Sequence, residues 1–371
     1  MELFPPAACP RLVVKIGSAL LVAPDGAVRT AWLGGLAADV AARARAGQQV
    51  AVVSSGAIAL GARRLGLARG GRASLEDAQA AAATGQIALA GAWAAALERQ
   101  GLIAAQMLVT LGDLEDRRRY LNAAATLARL LGLGVVPVVN ENDSVATAEI
   151  RFGDNDRLAA RVAQAAGASG VVLLSDVDGL YDRHPAEPGA TLVPRVERID
   201  GVIERMADAS SGSGMGSGGM ASKIAAARIA TGAGIPLAIA SGRVERPLAL
   251  EASGERPHTL FAAERTASAR KAWLAGGLTA MGTIHVDAGA AGALAGGASL
   301  LAAGAVRVEG AFARGDLVGI HGPAGPVARG LAEYDAVDAA RLLGRRSDEQ
   351  EAILGHAPRA ALVHRNHMAL L

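Results

Sequence analysis

Cysteine, lysine and the aromatic residues are all scarce in this chain of 371 residues. The single cysteine, Cys9, cannot form an internal disulfide, and no Cys/His cluster has the spacing of a zinc site. This cysteine usage is typical of a reducing compartment, so we expect a cytoplasmic protein. Aromatic residues make up 3% of the chain and apolar residues 51%, so the core must be built mainly from alanine, valine, leucine and isoleucine.

Membrane and nucleic-acid partners also lack their usual signals. The first ten residues have neither a basic segment nor an apolar run, so no signal peptide is predicted. Residues 78–97 carry no charge, but they are mostly alanine and glycine with two glutamines and a threonine, which is too weakly apolar for a membrane span. A buried or subunit-facing helix fits better, and we expect a homo-oligomer with the helix at 74–100 as a candidate interface. The net charge is only +2, with no basic block for nucleic acid.

The first two-thirds of the chain alternates short apolar runs with longer helical patterns. The runs predict strands at 12–18, 49–56, 104–110, 134–140, 170–176 and 235–242. Helices are predicted at 30–46, 57–66, 74–100, 117–132, 157–167 and 220–232. Continuous Val/Ile/Leu runs are typical of strands covered on both faces of a parallel sheet. The pattern therefore predicts an α/β fold, a three-layer αβα sandwich whose ligand lies beyond the carboxyl ends of the strands.

The pattern changes after residue 243. We predict a catalytic domain over 1–263, a linker over 264–278 and a small, mostly β domain over 279–371. In the last domain the sequence predicts strands within 283–290, 305–312, 316–322 and 326–334, and one helix at 335–343. Residues 279–358 contain six arginines, no lysine and nine acidic residues, a charge of 6 − 9 = −3. RNA binding needs a positive surface, so RNA is not expected as a partner.

Only three lysines occur in the chain: Lys15, Lys223 and Lys271. Lys15 lies late in the first predicted strand, and the small residues Gly17 and Ser18 that follow would let phosphate oxygens approach backbone amides. Lys223 follows the Gly/Ser-rich loop 210–220 and falls at the start of a helix, where amides favour phosphate. Alone, each feature is compatible with a surface lysine or a flexible linker. Together they favour a two-lysine phosphate clamp, and neither a Walker A loop nor a GxGxxG fingerprint is present.

The densest polar segment is NENDSVATAEIRFGDND, residues 140–156. Such runs often form only turns. Here two Asn/Asp clusters bracket a short segment beside a predicted strand end, which favours a polar ligand cage. Carboxylates would bind the ammonium of a zwitterion and amides its carboxylate. Asp156 has a further use, because a carboxylate between two lysines would relieve their repulsion.

Six motifs in order along the chain resemble the glutamate 5-kinase family of the amino-acid kinase superfamily. They are LVVKIGS (12–18), VSSGAIALG (53–61), EDRRRYLNA (115–123), VVPVVNENDSVATAEIRFGDND (135–156), LLSDVDGLYD (173–182) and GSGGMASKIAAARIA (216–230). The C-terminal segment resembles a PUA domain. The NEND…GDND pair and the GSGGMASK loop are the specific signals. One departure is Ala19, where the family often has a small hydroxyl residue.

The resemblance implies a role for each matching residue. Lys15 and Lys223 would be catalytic, on the ATP phosphates, with Asp156 organising both. The implied substrate-binding residues are Ser55, Gly56, Asn140, Asp143, Asp154 and Asn155. The implied ATP-binding residues are Lys15, Gly17, Ser18, Ser175, Asp176, Ser217, Gly218, Gly219, Met220, Ala221, Ser222 and Lys223. As alternatives, Ser55 could be a helix N-cap, and Ser175 with Asp176 a strand-end turn.

The resemblance further implies phosphorylation of the γ-carboxylate of L-glutamate by ATP with Mg²⁺, the first step of proline biosynthesis. It implies proline as a feedback inhibitor and glutamyl phosphate reductase as the next enzyme. A carboxylate nucleophile needs no general base, which fits the absence of a Ser/His/Asp or Cys/His arrangement. Two rival interpretations stay open: another carboxylate kinase, such as N-acetylglutamate kinase or aspartokinase, and a non-catalytic amino-acid-sensing or RNA-associated protein.

Overall fold

The computed structural model describes residues 3–145, 155–209, 219–249, 256–263, 280–359 and 361–371. The chain divides into two compact units, the first formed by Met1–Leu114 with Ala123–Glu264 and the second by Glu115–Asn122 with Arg265–Leu371. The expected linker at 264–278 lies outside the described residues. The exact limits of the catalytic domain, the linker and the C-terminal domain therefore stay a prediction.

The first unit is built on a mainly parallel sheet. Its strands are β1 Arg11–Ile16, β2 Gln49–Ser54, β3 Ala104–Val109, β4 Val136–Glu141, β5 Gly170–Ser175, β6 Arg195–Val196, β7 Leu237–Ser241 and β8 His258–Phe261, in the order β3-β4-β2-β1-β5-β7-β8-β6. β1 lies centrally and pairs in parallel with β2 and β5, whereas β8 runs antiparallel to β7. The six predicted strands are confirmed to within two residues at each end. β6 and β8 are additions at the sheet edge.

Helices cover this sheet. They are α1 Ser18–Leu21, α2 Thr30–Arg45, α3 Ala57–Leu65, α4 Leu75–Glu98, α5 Leu111–Glu115, α6 Arg117–Gly132, α7 Asn155–Ala166, α8 Gly201–Ala209 and α9 Met220–Gly232. A large core cluster joins β1, β2, β4 and β5 to α2 and α4, with Trp32, Leu36, Leu89 and Trp93 buried between the layers. The predicted three-layer α/β fold is confirmed. The sequence patterns missed the helix α8, of 9 residues, and the short helices α1 and α5.

The Ala-rich helix α4 is long and apolar enough, by length and composition, to be a candidate membrane span among the described residues. Its packing favours the core-helix interpretation, since Leu89, Trp93 and Leu97 are buried in the core of the first unit. The Trp93 indole N–H donates a buried hydrogen bond of 2.9 Å to Ser54 Oγ, at the carboxyl end of β2. α4 therefore supports the end of a central strand.

Two glycines let α4 approach α3 very closely. A Cβ at Gly85 would lie 1.8 Å from the carbonyl oxygen of Ala57, and a Cβ at Gly61 would lie 1.8 Å from that of Ala81. Ala57 is the first residue of α3, directly after the loop that leaves β2. The absence of side chains at these two positions thus fixes where that loop lies against α4.

The second unit contains a separate five-stranded sheet. Its strands are β9 Gly282–Val286, β10 Ala305–Gly310, β11 Leu317–Gly322, β12 Gly325–Leu331 and β13 Met368–Leu370, in the order β10-β9-β11-β12-β13. Helices α10 Ala288–Ala295, α11 Ala336–Arg341 and α12 Gln350–Leu354 accompany it. The expected mostly β domain is confirmed. The strand predicted over 283–290 is too long, because Asp287 accepts a hydrogen bond from the Ala290 N–H and starts α10 instead.

Candidate active site

The predicted functional residues gather where the parallel strands of the first unit end. Lys15 lies near the end of β1, and Gly17 and Ser18 form the turn into α1. Ser55 and Gly56 connect β2 to α3. Parallel strands deliver their carboxyl ends to one edge of a sheet, so these loops share one side of the fold.

The centre of the site is a buried cluster of Lys15, Asp156 and Lys223. Lys15 Nζ lies 2.5 Å from Asp156 Oδ1, and Lys223 Nζ donates a hydrogen bond of 3.1 Å to Asp156 Oδ2. The three side chains come from β1, α7 and α9, and all are buried. One carboxylate thus holds two ammonium groups on its two oxygens, with a formal charge of +2 − 1 = +1 for the cluster.

The charge of Asp156 is fixed by these neighbours. Burial alone would raise the pKa of its carboxyl, but the ammonium groups of Lys15 and Lys223 outweigh burial and hold the pKa below its usual value. Asp156 therefore stays ionised at neutral pH. It cannot act as a general acid there, and its low basicity suits it to positioning the lysines rather than to accepting protons.

A chain of amide hydrogen bonds runs beside this cluster. Asn155 Nδ2 donates to Ser55 Oγ at 2.7 Å and to Asn140 Oδ1 at 3.1 Å. Asn140 Nδ2 in turn donates to Gln86 Oε1 on α4 at 2.8 Å. We call these four side chains the amide relay. It connects α4, the end of β4, the loop after β2 and the residue that precedes Asp156.

Ser55 and Gly56 have distinct local roles. The alternative interpretation of Ser55 as the cap of α3 is wrong, because the N-cap is Gly56, which makes no side-chain hydrogen bond. Gly56 has φ of 125°, and a Cβ there would lie 3.2 Å from the Val22 side chain. Only glycine adopts this backbone without strain. The Ser55 hydroxyl accepts a hydrogen bond from Asn155 and is therefore part of the amide relay rather than a helix cap.

A cavity of about 220 Å³ opens next to the relay. Its lining includes Ala57, Gln86, Leu108, Glu141 and Asp143. The volume is below the ~300–1,000 Å³ range of drug-sized ligand sites, so it suits a small molecule such as an amino acid. Among its described residues, the lining contains two acids and no basic side chain. This composition favours the ammonium end of a zwitterion.

Two acceptors near the relay are suited to an ammonium group. Asp143 Oδ1 and Asn155 Oδ1 are buried, and within the described part of the chain neither has a hydrogen-bond donor. Burial raises the pKa of the Asp143 carboxyl to about 6, although the positive charge of Arg72 opposes the rise. A buried acceptor without a donor is costly, and a bound ammonium would relieve that cost.

The predicted nucleotide residues lie at the end of β5 and the start of α9. The Ser175 hydroxyl donates to Asp176 Oδ1 at 3.1 Å, and Arg243 lies 3.8 Å from the Asp176 carboxylate. Gly219 is the N-cap of α9, and Met220, Ala221 and Ser222 form its first turn. That turn presents backbone amides of the kind that bind phosphate. Asp154, Ser217 and Gly218 lie outside the described residues, and the binding roles stay predictions.

Comparison with known proteins agrees with this geometry. The model of the amino acid kinase family matches residues 10–241, and that of the PUA domain matches residues 282–354. The chain belongs to the amino acid kinase family. It is 74% identical to a protein named glutamate 5-kinase from Sphingopyxis alaskensis, with 100% of both chains covered. It is 62% identical to one from Novosphingobium aromaticivorans (98% of this chain, 96% of the relative) and 59% identical to one from Zymomonas mobilis (99% and 93%). The resemblance seen in the sequence is confirmed.

The described residues of this amino acid kinase do not form a set of protein ligands for the implied Mg²⁺. No group of three or more metal-ligating side chains occurs there. Both oxygens of Asp156 are already occupied by lysines. Mg²⁺ usually keeps several waters and is held by substrate phosphates with one or two carboxylates. The described side chains thus offer no preformed Mg²⁺ site of their own.

Sequence reasoning missed one member of the amino acid kinase site, Gln86. It lies in an uncharged, Ala-rich stretch where a glutamine was evidence only against a membrane span. In the structure it is buried, lines the cavity and joins the amide relay. A buried polar side chain within an apolar helix was the available signal, but the sequence does not say which strand end the helix faces.

Proposed function

We propose that this chain transfers the γ-phosphoryl group of ATP to the γ-carboxylate of L-glutamate, giving ADP and γ-glutamyl phosphate. The main observation in support is the buried Lys15–Asp156–Lys223 cluster beside an acidic cavity of a size that suits an amino acid. The names of the relatives, which cover the whole chain, support the same activity. This reaction is the first step of proline biosynthesis.

The chemistry needs little proton transfer. The γ-carboxylate of glutamate, with an ordinary pKa of about 4.3, is already ionised at neutral pH. One of its oxygens attacks the γ-phosphorus, a carboxyl–phosphate bond forms, and the bond from phosphorus to the bridging β–γ oxygen breaks to release ADP. Asp156 is therefore not required as a base, in keeping with its lowered pKa.

The residues of the cluster supply position and charge. Lys15 and Lys223 neutralise the phosphoryl oxygens as negative charge moves from nucleophile to leaving group. Asp156 holds both ammonium groups in place before ATP arrives, which lowers the cost of bringing two like charges together. Mg²⁺, when bound together with ATP, would neutralise part of the phosphate charge.

The amino-acid end of glutamate lies in the cavity. Asp143 and Asn155 Oδ1 accept the α-ammonium group, and Ser55 with the Gly56 turn borders the path toward the lysines. The same cavity would accept proline, another small zwitterion, as a feedback inhibitor. The product is a reactive mixed anhydride, which glutamyl phosphate reductase would consume. We further propose a cytoplasmic homo-oligomer in which the exposed face of α4, including Ile87, is covered.

Hydroxylamine trapping tests the reaction directly. Purified protein is incubated with ATP, Mg²⁺ and hydroxylamine, and with L-glutamate, N-acetylglutamate or aspartate in parallel. Glutamate-dependent hydroxamate with stoichiometric ADP release is the expected result. Hydroxamate formation only with N-acetylglutamate or aspartate would mean that the chain is a different carboxylate kinase. If a folded sample formed no hydroxamate with any of the three substrates, a non-catalytic sensor would be favoured.

The C-terminal domain is not proposed to bind RNA. The residues from 279 to 358 carry a formal charge of −3 by the count of arginines and acids. Non-specific RNA affinity depends on cationic contacts to phosphate. We expect no gel shift with tRNA at low salt, and a tight complex would contradict this view.

A further inference from the structure

Of the cavity-lining residues that the structure describes, Gln86 is the one with a buried side-chain amide. The other lining side chains that carry N–H or O–H donors are Gln106, Asn142 and Ser144, and these are exposed or half-buried. Gln86 lies on α4 next to Gly85, whose missing side chain allows α4 to approach the start of α3. Its depth in the cavity is therefore set by the tight contact between these helices.

The orientation of the Gln86 amide is fixed by the relay. Gln86 Oε1 accepts from Asn140 Nδ2 at 2.8 Å, and Asn140 Oδ1 accepts from Asn155. Because Oε1 faces Asn140, the amide nitrogen points away from that contact. Within the described residues, Gln86 Nε2 makes no hydrogen bond to the protein. The relay thus leaves this amide donor on the cavity wall without a partner among the described residues.

The cavity needs such a donor if it holds the amino-acid end of the substrate. Asp143 supplies an acceptor for ammonium, but an α-amino acid carries a carboxylate on the same carbon. No lysine or arginine is among the lining residues that the structure describes, and Lys15 and Lys223 belong to the phosphoryl end of the site. A carboxylate buried beside Asp143 and Glu141 without a donor would be strongly unfavourable.

We propose that Gln86 donates its Nε2–H group to the α-carboxylate of the bound amino acid and is a specificity-determining residue of the site. This inference rests on the proposed function, since it takes the cavity as the amino-acid pocket. Gln86 then selects for substrates that carry a carboxylate beside the ammonium group. Through Asn140 and Asn155 it also couples the α-carbon end of the substrate to the Ser55 turn.

The variant Gln86→Glu separates the donor from the positioning role. It retains the size of the side chain and the oxygen that accepts from Asn140, but it replaces the donor with an acceptor. We expect the KM for glutamate to rise on the order of ten- to a hundredfold, as for loss of a hydrogen bond to a charged group. The KM for ATP should stay at its wild-type value, whereas the melting temperature should fall, because the new carboxylate is buried near Asp143 and Glu141. Gln100→Glu, the same substitution just after α4 and outside the cavity lining, is the matched control and should retain the wild-type glutamate KM.

Two substrate fragments identify the partner of Gln86. Glutarate has both carboxylates of glutamate and lacks the ammonium group, whereas 4-aminobutyrate lacks the α-carboxylate. Both fragments are tested as inhibitors that compete with glutamate. The Ki of glutarate should be higher for Gln86→Met than for the wild type, whereas the Ki of 4-aminobutyrate should be the same for both. Equal weakening of both inhibitors would mean a merely structural role and overturn the proposal.

Two further results separate the possible failures. A wild-type glutamate KM in Gln86→Glu, with an active parent enzyme, would refute the carboxylate contact and leave the proposed function standing. A parent enzyme that forms no hydroxamate from glutamate would refute the proposed function itself. Glutamate binding by titration calorimetry, without ATP, gives a second measure of affinity that does not depend on turnover.

Discussion

The contact between α3 and α4 gives a sharp prediction for Gly85→Ala. The added Cβ would lie 1.8 Å from the Ala57 carbonyl oxygen and 2.5 Å from the Gly61 nitrogen. An ordinary contact begins at 3.4 Å, so the helices would have to separate by 1.6 Å (3.4 − 1.8). Both neighbours are backbone atoms, which cannot rotate away as the end of a side chain can.

The magnitude follows from two opposing effects. Overpacking costs about 1–3 kcal/mol, and the backbone clash places this substitution near the upper end. Replacing a helical glycine by alanine returns about 0.5–1 kcal/mol. We expect a net loss of about 2 kcal/mol in the free energy of unfolding, or about 4–8 °C in melting temperature. Because Ala57 follows the Gly56 turn, the KM for glutamate should rise as well.

Gly91→Ala is the matched control on the same helix. A Cβ at Gly91 would have no heavy atom within 4 Å, so only the gain in helix propensity remains. Urea denaturation of both variants and the parent measures the difference. If Gly85→Ala proved as stable as Gly91→Ala, with an unchanged glutamate KM, the close contact would not position the loop, and this reasoning would be refuted.

Other variants test the cluster and the cavity. Lys223→Ala should lower kcat on the order of 10²–10³ and retain the fold. The control is Arg228→Ala, which also changes α9 but removes only an exposed ion pair with Glu204, and its kcat should equal that of the parent. Equal kcat values for the two variants would refute the clamp. Asp156→Asn leaves two buried ammonium groups without their counter-charge, so urea denaturation should show about 3–5 kcal/mol less stability. Adding ATP should raise the melting temperature of this variant by more than it raises that of the parent. Unchanged stability would contradict the buried pairing. The KM for glutamate should rise about tenfold per pH unit below about 6, as Asp143 gains a proton and loses its charge. Asp143→Asn should make that KM high and independent of pH, and the same pH slope in this variant would exclude Asp143.

The interior of the sheet was the most predictable part of the fold. Runs such as LVVKI and GVVLLS are too apolar to lie anywhere but between two layers, so β1 and β5 were predicted to within two residues. β8 was missed because HTLF is short and follows a Pro- and Arg-containing stretch. Its antiparallel pairing with β7 depends on tertiary contacts that no local pattern encodes.

The site was predictable only where residue type was unusual. Rare lysines and the Asn/Asp segment drew attention to Lys15, Lys223 and Asp156, and the structure brings these three together. Gln86 has no such signal, because its importance comes from the face of α4 that the Gly85 contact turns toward β4. Sequence spacing does not determine which face of a helix meets which strand end.

The central position of β1 has a consequence for synthesis on the ribosome. β1 gains β2 as a neighbour soon after it emerges, but its other edge must await β5, whose partner for Leu12 is Gly170. At translation rates of about 5–20 residues per second, an apolar strand edge stays open for on the order of 10–30 s. Open edges invite pairing with other chains. We therefore expect the nascent chain to be more prone to aggregation during these seconds than the finished fold is, because the open edge of β1 is covered only when β5 has been made.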